Sequence, residues 1–502
     1  MSNKSFYKNS FMLILSNLTT GVLGFLFSII LSRSLGAEGM GLYGLVMPIY
    51  NLFICLICGG IVTAISKISA IYIDNKDFGN VKKTIKTIFT FNIMWGIIIA
   101  FIVFLLAPNI SSVIIKDSRT ALALRITCPA MVFIAASNIL KGYFYGTAEI
   151  MVPAIIDIFE KSVRITVILI LSNMLKSKSV TSLVTVAYVA LCIGEFISLI
   201  LLYIYYKKST KKFPVTPKTL DSKIQLLFNV LVISIPLCLN GFLTTALDSV
   251  CTLMLPRRLV KAGIEYTSGL SVIGKFTGMS MTIVFFPMII IGSISTLLIP
   301  DLSQTINKKN YCAACIRIKE VLKIAILLGL CTTAICNTIP TELGYMFYNR
   351  YDLGSFIRFA SICAPFVYCL GSTYGILNGI SKQSIILRNS LIGAVIETSC
   401  LYVLTGIPSI NIFGYSISVV LSSIIVLFLN IKEIKRHINF RFDFFQIILI
   451  FLLSILCFLT LRLTNGLLLD VHSTFKNIFI ILLGFSFFFI GLIFKSPKNE
   501  YY

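Results

Sequence analysis

Apolar residues in this chain come in long uninterrupted blocks, separated by short polar stretches, with no sustained period-two alternation. Fourteen blocks are legible, at 11–32, 42–65, 88–107, 121–140, 152–171, 183–206, 226–247, 276–299, 324–339, 359–377, 390–405, 413–429, 444–461 and 478–494. Most have the roughly 17–25 residues that carry a helix across a hydrocarbon core. The pattern predicts an all-α polytopic membrane protein with about fourteen transmembrane helices. The first block is too long for the apolar region of a cleaved signal, about 7–15 residues, and reads as an uncleaved first span.

The polar stretches set orientation and organisation. With the N-terminus inside, Lys and Arg fall about two to one on the inner side, which places both termini in the cytoplasm. The longest polar stretch, 207–223, is basic and contains Pro214 and Pro217. It separates a predicted N-lobe of six helices (1–206) from a C-lobe of six (226–430), with 207–225 as linker. Residues 431–502 add two helices and a tail. A weak internal repeat supports two pseudo-symmetric lobes: Asn17 precedes Arg33 by 16 positions and Asn240 precedes Arg257 by 17. Gly146 and Gly379 each precede a charge by 18, Arg164 and Glu397. Parallel repeats of this kind occur in secondary transporters.

Composition changes the picture in one respect. The chain has 502 residues and a net charge of +23. In a soluble protein that charge would point to nucleic acid. Here the basic residues lie in loops between apolar blocks, so a nucleic-acid partner is excluded and membrane lipid is expected. Of 14 cysteines, most lie inside apolar blocks and act as small hydrophobes. The C-x-x-C pairs Cys55/Cys58 and Cys312/Cys315 lack a second pair or histidines at zinc spacing, so no metal is expected.

The chemistry lies in charges within the apolar blocks. Asp157, Glu160, Lys161 and Arg164 are spaced to share one helix face in span five. Each charge at a helix centre costs about 2.5–3.5 kcal/mol, so this face looks into protein or a wet cavity. It reads either as a self-neutralising ladder or as part of a transport path. Lys275 opens span eight and either snorkels or serves the path; Glu397, well inside span eleven, cannot reach an interface and points to a cavity. Glu195 and Asp248 are further isolated charges. Gly371, Gly375 and Gly379 line one face of span ten and predict close helix packing. Gly269–Lys275 has P-loop spacing, but Phe276 replaces the hydroxyl residue that would hold Mg²⁺, and no strand precedes it. No cofactor is implied, and the energy source is expected to be an ion gradient, the membrane potential or downstream consumption. The sequence names no coupling ion.

Four stretches carry a resemblance: Ser32-Arg-Ser-Leu-Gly-Ala-Glu-Gly-Met-Gly-Leu-Tyr43 with Pro48 and Tyr50; Leu255-Pro-Arg-Arg-Leu259 with Gly263; Leu298-Ile-Pro-Asp-Leu-Ser303; and Gly375-Ile-Leu-Asn-Gly-Ile-Ser-Lys382. On these the chain resembles the multidrug/oligosaccharidyl-lipid/polysaccharide exporter superfamily, within it the stage V sporulation protein B group, and is similar to lipid II flippases. The resemblance implies two six-helix lobes around a cavity with alternating access, two extra helices guiding a lipid tail, and a polyprenyl-pyrophosphate-linked peptidoglycan precursor as cargo for spore cortex. It departs from lipid II flippases at Phe27 and Ser28, where those carry a mid-span arginine, and at Met281 and Thr282, where they carry another.

The expected function is therefore a non-enzymatic flippase for a lipid-linked anionic glycan in the cell membrane, with cell-wall synthases as protein partners. The alternatives are a lipid-linked polysaccharide exporter, a cation-coupled drug exporter, and a non-transporting scaffold for cortex-building enzymes. Arg33, Arg257 and Arg258 are placed by the repeat at matching outer span ends. They read as phosphate ligands, as latch partners of Glu38 and Asp248, or as interface anchors.

Overall fold

The computed structural model describes residues 3–175, 179–211, 213, 221–438, 444–468 and 473–493, and the regular elements in them are helices. The middle of the predicted linker (212 and 214–220) and the tail from 494 lie outside the described residues. Packing divides the chain into two units, Met1–Met254 and Leu255–Tyr502.

Unit 1 is built from α1 (Asn3–Cys58), α2 (Ile61–Asp74), α3 (Phe78–Asn109), α4 (Ala121–Gly146), α5 (Met151–Met174), α6 (Val180–Thr210) and most of α7 (Lys223–Lys261). The first element is two helices end to end. Gly36, at φ 69° and ψ −175°, breaks it inside the Ser-Leu-Gly-Ala-Glu-Gly turn, in a region open only to glycine. A second break at Gly59 and Gly60 separates α1 from α2, where Gly60 has φ 72°. There α7 crosses so closely that a Cβ on Gly60 would stand 2.5 Å from Leu237 Cβ. Beside it the Cys238 thiol donates to the Cys55 carbonyl at 3.2 Å. The start of α7 is tied down as well: the Asp221 amide donates to Asn80 Oδ1 at 3.1 Å, and the Tyr72 hydroxyl donates to Asp221 Oδ2 at 3.2 Å. Asp77 caps α3 by accepting from the Asn80 amide at 3.1 Å.

Unit 2 contains α8 (Tyr266–Ile273), a π-helical turn at Gly274–Ser280, α9 (Met281–Phe285), α10 (Met288–Asn307), α11 (Tyr311–Thr338) and α12 (Pro340–Tyr348). It continues with α13 (Gly354–Ser361), α14 (Ala364–Gly379), α15 (Gln383–Leu404), α16 (Phe413–His437), α17 (Phe444–Leu467) and α18 (Ser473–Ile493). The last two pack on α11. Large apolar side chains stand exposed along α3 (Ile97, Phe101, Leu105), α17 (Leu452, Leu456, Leu459) and α18 (Phe479, Leu482, Phe489). Such surfaces are stable only against hydrocarbon. The chain is an all-α polytopic membrane protein.

Among the described residues, twelve helices are long and apolar enough to cross a membrane, or thirteen with the bent α13–α14 pair counted as one span. The difference from the expected fourteen has physical causes. The first two expected spans run together as Leu15–Asp74. The helix α5, with Asp157, Glu160, Lys161 and Arg164 along it, is too charged to count among them. The expected span eight comes as two helices, Tyr266–Phe285 and Met288–Asn307, because Pro287 lacks the N–H that would continue the ladder. Lys275 therefore does not open a span; it sits within Tyr266–Phe285, nine residues after its start.

The repeated glycines make equivalent contacts in the two units. Gly371, Gly375 and Gly379 on α14 face α10, where an added Cβ would stand 2.9 Å from Met288 Cε, 2.6 Å from Ser295 Oγ and 3.1 Å from Leu302 Cβ. Gly142 and Gly146 on α4 face α2, with 3.0 Å to Ile65 Cβ and 2.6 Å to the Ser66 carbonyl. The predicted glycine face on span ten is thus a packing face. A Gly375→Val protein is expected to lose about 1–3 kcal/mol to overpacking, read as a lower unfolding temperature in lipid. Gly24, with nothing within 4 Å of its Cβ position, should accept Ala without loss. Equal stability of the two variants would remove the α10–α14 contact from what holds unit 2.

Candidate functional site

The charged face of α5 turns into unit 1, and partners from neighbouring helices meet it. Lys141 on α4 pairs with Asp157 at 2.7 Å. Arg164 lies between two carboxylates: its Nε pairs with Glu160 one turn earlier, and its Nη2 donates to Glu195 Oε1 on α6 at 2.5 Å. Both glutamates are buried. Gly194 makes the room, since a Cβ there would stand 2.7 Å from Arg164 Cγ and 2.9 Å from Glu160 Oε1. Two α1 tyrosines complete the surroundings. Tyr43 stacks on Tyr188 with ring centroids 4.8 Å apart, and the Tyr188 hydroxyl donates to the Tyr43 carbonyl at 2.7 Å. Among the described residues, the buried Tyr50 hydroxyl has no hydrogen-bond partner. Span five is therefore not a ladder closed on itself. Its arginine is shared with another helix.

The other predicted residues of unit 1 do not join this set. Asn17 and Arg33 are exposed on α1, Asp248 is exposed on α7, and Asn240 is half-buried there. Lys161 is half-buried and has no carboxylate within ion-pair distance among the described residues. Glu38, an expected latch partner of Arg33, accepts from Arg119 Nη1 at 2.7 Å, while the same guanidinium grips Asp117. That network clamps the chain just beyond the Gly36 break to the start of α4.

In unit 2, Lys275 lies in the π-helical turn and pairs with Asp352 at 2.8 Å. Arg350 holds the same carboxylate through two bonds of 2.9 and 2.8 Å. Lys275 thus ends on a carboxylate in the loop between α12 and α13. The Arg350 guanidinium, helped by Lys275 and opposed by partial burial, keeps Asp352 well below the usual carboxylate range. Glu397 on α15 accepts from Ser422 Oγ on α16 at 3.0 Å. Arg257 is exposed, whereas Arg258 stacks its guanidinium over Tyr402 at 4.0 Å and fills the space beside Gly406.

Spacing along one helix identified Asp157, Glu160 and Arg164. It missed Lys141, Arg119 and Asp352 as partners, because each reaches its mate from another element. Glu195 gave a signal, a lone acid in an apolar block, without its partner. The equal offsets from Gly146 to Arg164 and from Gly379 to Glu397 carry a structural meaning. In each unit the charge on the helix after the glycine face is met from the next helix, by Glu195 on α6 and by Ser422 on α16.

A frame of long apolar helices with ionisable groups held inside it defines a polytopic membrane protein. Residues 6–306 match the family described as polysaccharide biosynthesis protein, and the chain belongs to that family. Within the expected exporter superfamily it is similar to stage V sporulation protein B of Bacillus subtilis (strain 168), at 25% identity over 462 residues, covering 91% of this chain and 89% of that protein. It is 22% identical over 466 residues to lipid II flippase MurJ of the same organism, covering 88% and 84%. Among solved structures, lipid II flippase MurJ in an inward closed conformation matches with a TM-score of 0.71 at 12% identity, covering 95% of this chain and 97% of that one. An inward-facing multidrug resistance MATE family transporter of the MOP superfamily matches at 0.66 and 15%, covering 84% and 98%. These two likenesses concern the fold.

Two measurements follow from the geometry. Arg164→Ala leaves two carboxylates without their cation and is expected to cost about 3–5 kcal/mol, read as a sharp loss of folded protein in the membrane. Glu160→Gln keeps the Arg164–Glu195 pair and should be far milder; equal losses would contradict the shared arginine. For Asp352, a lowered folded-state pKa means that its stabilising effect is present above the unfolded value of about 3.9 and is lost as pH falls through the lower folded value. Between neutral pH and about 4, wild type should therefore exceed Asp352→Asn in unfolding temperature by a constant margin. That margin should close only in stronger acid; closure already near pH 5 would contradict the clamp.

Proposed function

We propose that the chain is a flippase that moves a lipid-linked, anionic glycan precursor across the cytoplasmic membrane by alternating access. Its cargo is a polyprenyl-pyrophosphate-linked peptidoglycan precursor, delivered for spore cortex synthesis. The observation that carries this reading is the inward charged face of α5, with Glu160, Arg164 and Glu195 joined across two helices. Ionisable groups kept inside a membrane span mark transport paths. Similarity over about nine-tenths of the chain to stage V sporulation protein B, and over most of it to a lipid II flippase, supports the class and the cargo.

In this reading residues 1–206 and 226–430 form the two lobes, 207–225 link them in the cytoplasm, and 431–502 serve the lipid tail. Both termini are cytoplasmic, and cell-wall synthases take the delivered cargo. Arg33 and Arg257 are exposed at outer span ends, where they meet the emerging pyrophosphate; arginine binds phosphate through two parallel hydrogen bonds. Lys275 and Glu397 belong to the path in the second lobe. The family description favours one second reading, export of a lipid-linked polysaccharide. A pure scaffold gains nothing from burying these charges.

The test is movement of a labelled polyprenyl-pyrophosphate-linked peptidoglycan precursor between leaflets of vesicles containing the purified protein. Transfer well above protein-free vesicles is expected, and none, with folding verified, overturns the flippase. Arg33→Lys and Arg257→Lys keep the charge but lose the planar fork, and each should slow transfer several-fold with normal insertion. Full transfer in both would leave these residues as interface anchors only.

A further inference from the structure

Tyr345 and Tyr351 stand exposed at the end of α12 in unit 2, and their rings lie flat on one another. The centroids are 4.4 Å apart and the planes differ by 11°. The two residues are 43% and 67% exposed. Large rings held open side by side are the kind of surface that marks a contact site. The chain between them is built to hold the pair. Asn349 takes φ 54°, its amide donates to the Tyr345 carbonyl at 2.8 Å, and the Arg350 amide donates to the Gly344 carbonyl at 3.3 Å. Gly344 admits this turn, since a Cβ there would stand 2.7 Å from the Arg350 carbonyl oxygen. Leu353, fully buried, anchors the far end.

Charged groups flank the second ring. Arg350 grips Asp352 through Nε and Nη2, and Lys275 reaches the same carboxylate at 2.8 Å. The side chains of Arg350 and Asp352 are 33% and 44% exposed. Hydrocarbon does not tolerate charges exposed to that degree, so the patch faces water or headgroups and not lipid tails. An interfacial aromatic belt accounts for single tyrosines at span ends. It does not account for two rings stacked in parallel beside a bidentate ion pair.

The chemistry that fits is a pyranose ring. Its axial C–H bonds form an apolar, weakly positive face, which stacks on the negative face of an aromatic ring. Its hydroxyl and acetamido groups radiate from the ring edge. There the guanidinium, the carboxylate and the phenol hydroxyls supply donors and acceptors; Arg350 Nη1 takes no part in the bonds to Asp352. Tyrosine makes such contacts at small cost in side-chain entropy, and a turn fixed in advance lowers the cost further.

We propose that Tyr345, Tyr351 and the Arg350–Asp352 pair form a sugar-binding platform, and that its ligand is the N-acetylated amino-sugar part of the lipid-linked cargo. The assignment to the cargo rests on the flippase reading; sugar binding itself does not. In the orientation proposed for the spans, the loop after α11 opens on the outer side, where the headgroup arrives.

Saturation-transfer NMR tests the platform, with the purified protein in lipid nanodiscs and chitotetraose, a soluble oligomer of N-acetylglucosamine. Wild type should saturate the axial ring protons of the sugar most strongly. Tyr351→Ala should weaken binding several-fold, and Tyr351→Phe, which restores the ring, should recover most of it. Tyr311, an exposed tyrosine at the start of α11, lies outside the patch, and Tyr311→Ala should bind as wild type does. No saturation by folded wild type, or equal binding by Tyr351→Ala, overturns the platform and leaves the pair to the interfacial belt. The assignment to the cargo is read from transfer of the labelled precursor, which Tyr351→Ala should slow several-fold. Unaltered transfer in a variant that has lost sugar binding overturns that assignment while the flippase stands. No transfer by a wild type that binds the sugar overturns the flippase and leaves the platform intact.

Discussion

Hydrocarbon offers no hydrogen bonds and no counter-charge, so every polar group inside this frame must find its partner within the protein. That constraint accounts for most of what is specific about the structure. Asn389, Asn430 and Thr373 form a fully buried chain across α15, α16 and α14, with links of 2.8 Å each. Asp157 is met by Lys141, Arg164 by two glutamates, and Glu397 by a serine hydroxyl. The matching is closest to its limit at Arg164, whose one guanidinium serves both Glu160 and Glu195.

Without a hydrophobic drive between helices in lipid, close approach of backbones does the packing. The glycine faces of α4 and α14 show this in the two units, each against the helix that contains the matching small or branched side chains. The same requirement explains the breaks. Gly36 and Gly60 take backbone conformations that other residues avoid, and Gly60 admits α7 at a separation that no side chain would allow. The glycine-rich Ser-Leu-Gly-Ala-Glu-Gly turn is therefore structural first. Its glutamate goes to Arg119, and Arg33 is exposed.

Charge spacing along a helix is a partial guide in such a protein. It set Asp157, Glu160, Lys161 and Arg164 on one face; Asp157 and Arg164 meet charged partners on α4 and α6, Glu160 pairs with Arg164, and Lys161 has no ion pair among the described residues. A ladder of i to i+4 pairs could neutralise itself and would carry no further meaning; an arginine divided between α5 and α6 is different, because moving either helix changes its balance. Arg258 makes the complementary point. It shares a sequence position class with Arg33 and Arg257, yet lies over Tyr402 and against Gly406 as a packing group.

The sequence by itself determined the class: runs of apolar residues long enough to span a bilayer admit only helices. It also determined the glycine face on α14 and the charged face on α5, because both depend on a period of 3.6 within one element. Only the tertiary structure decided who meets whom. Lys141 with Asp157, Arg119 with Glu38, Glu195 with Arg164 and Lys275 with Asp352 are contacts between different elements, and no spacing within one helix encodes them. The boundary of the first unit at Met254 has the same origin, since α7 is an apolar helix like its neighbours until its start is tied to Asn80 and Tyr72 and its crossing is fixed at Gly60.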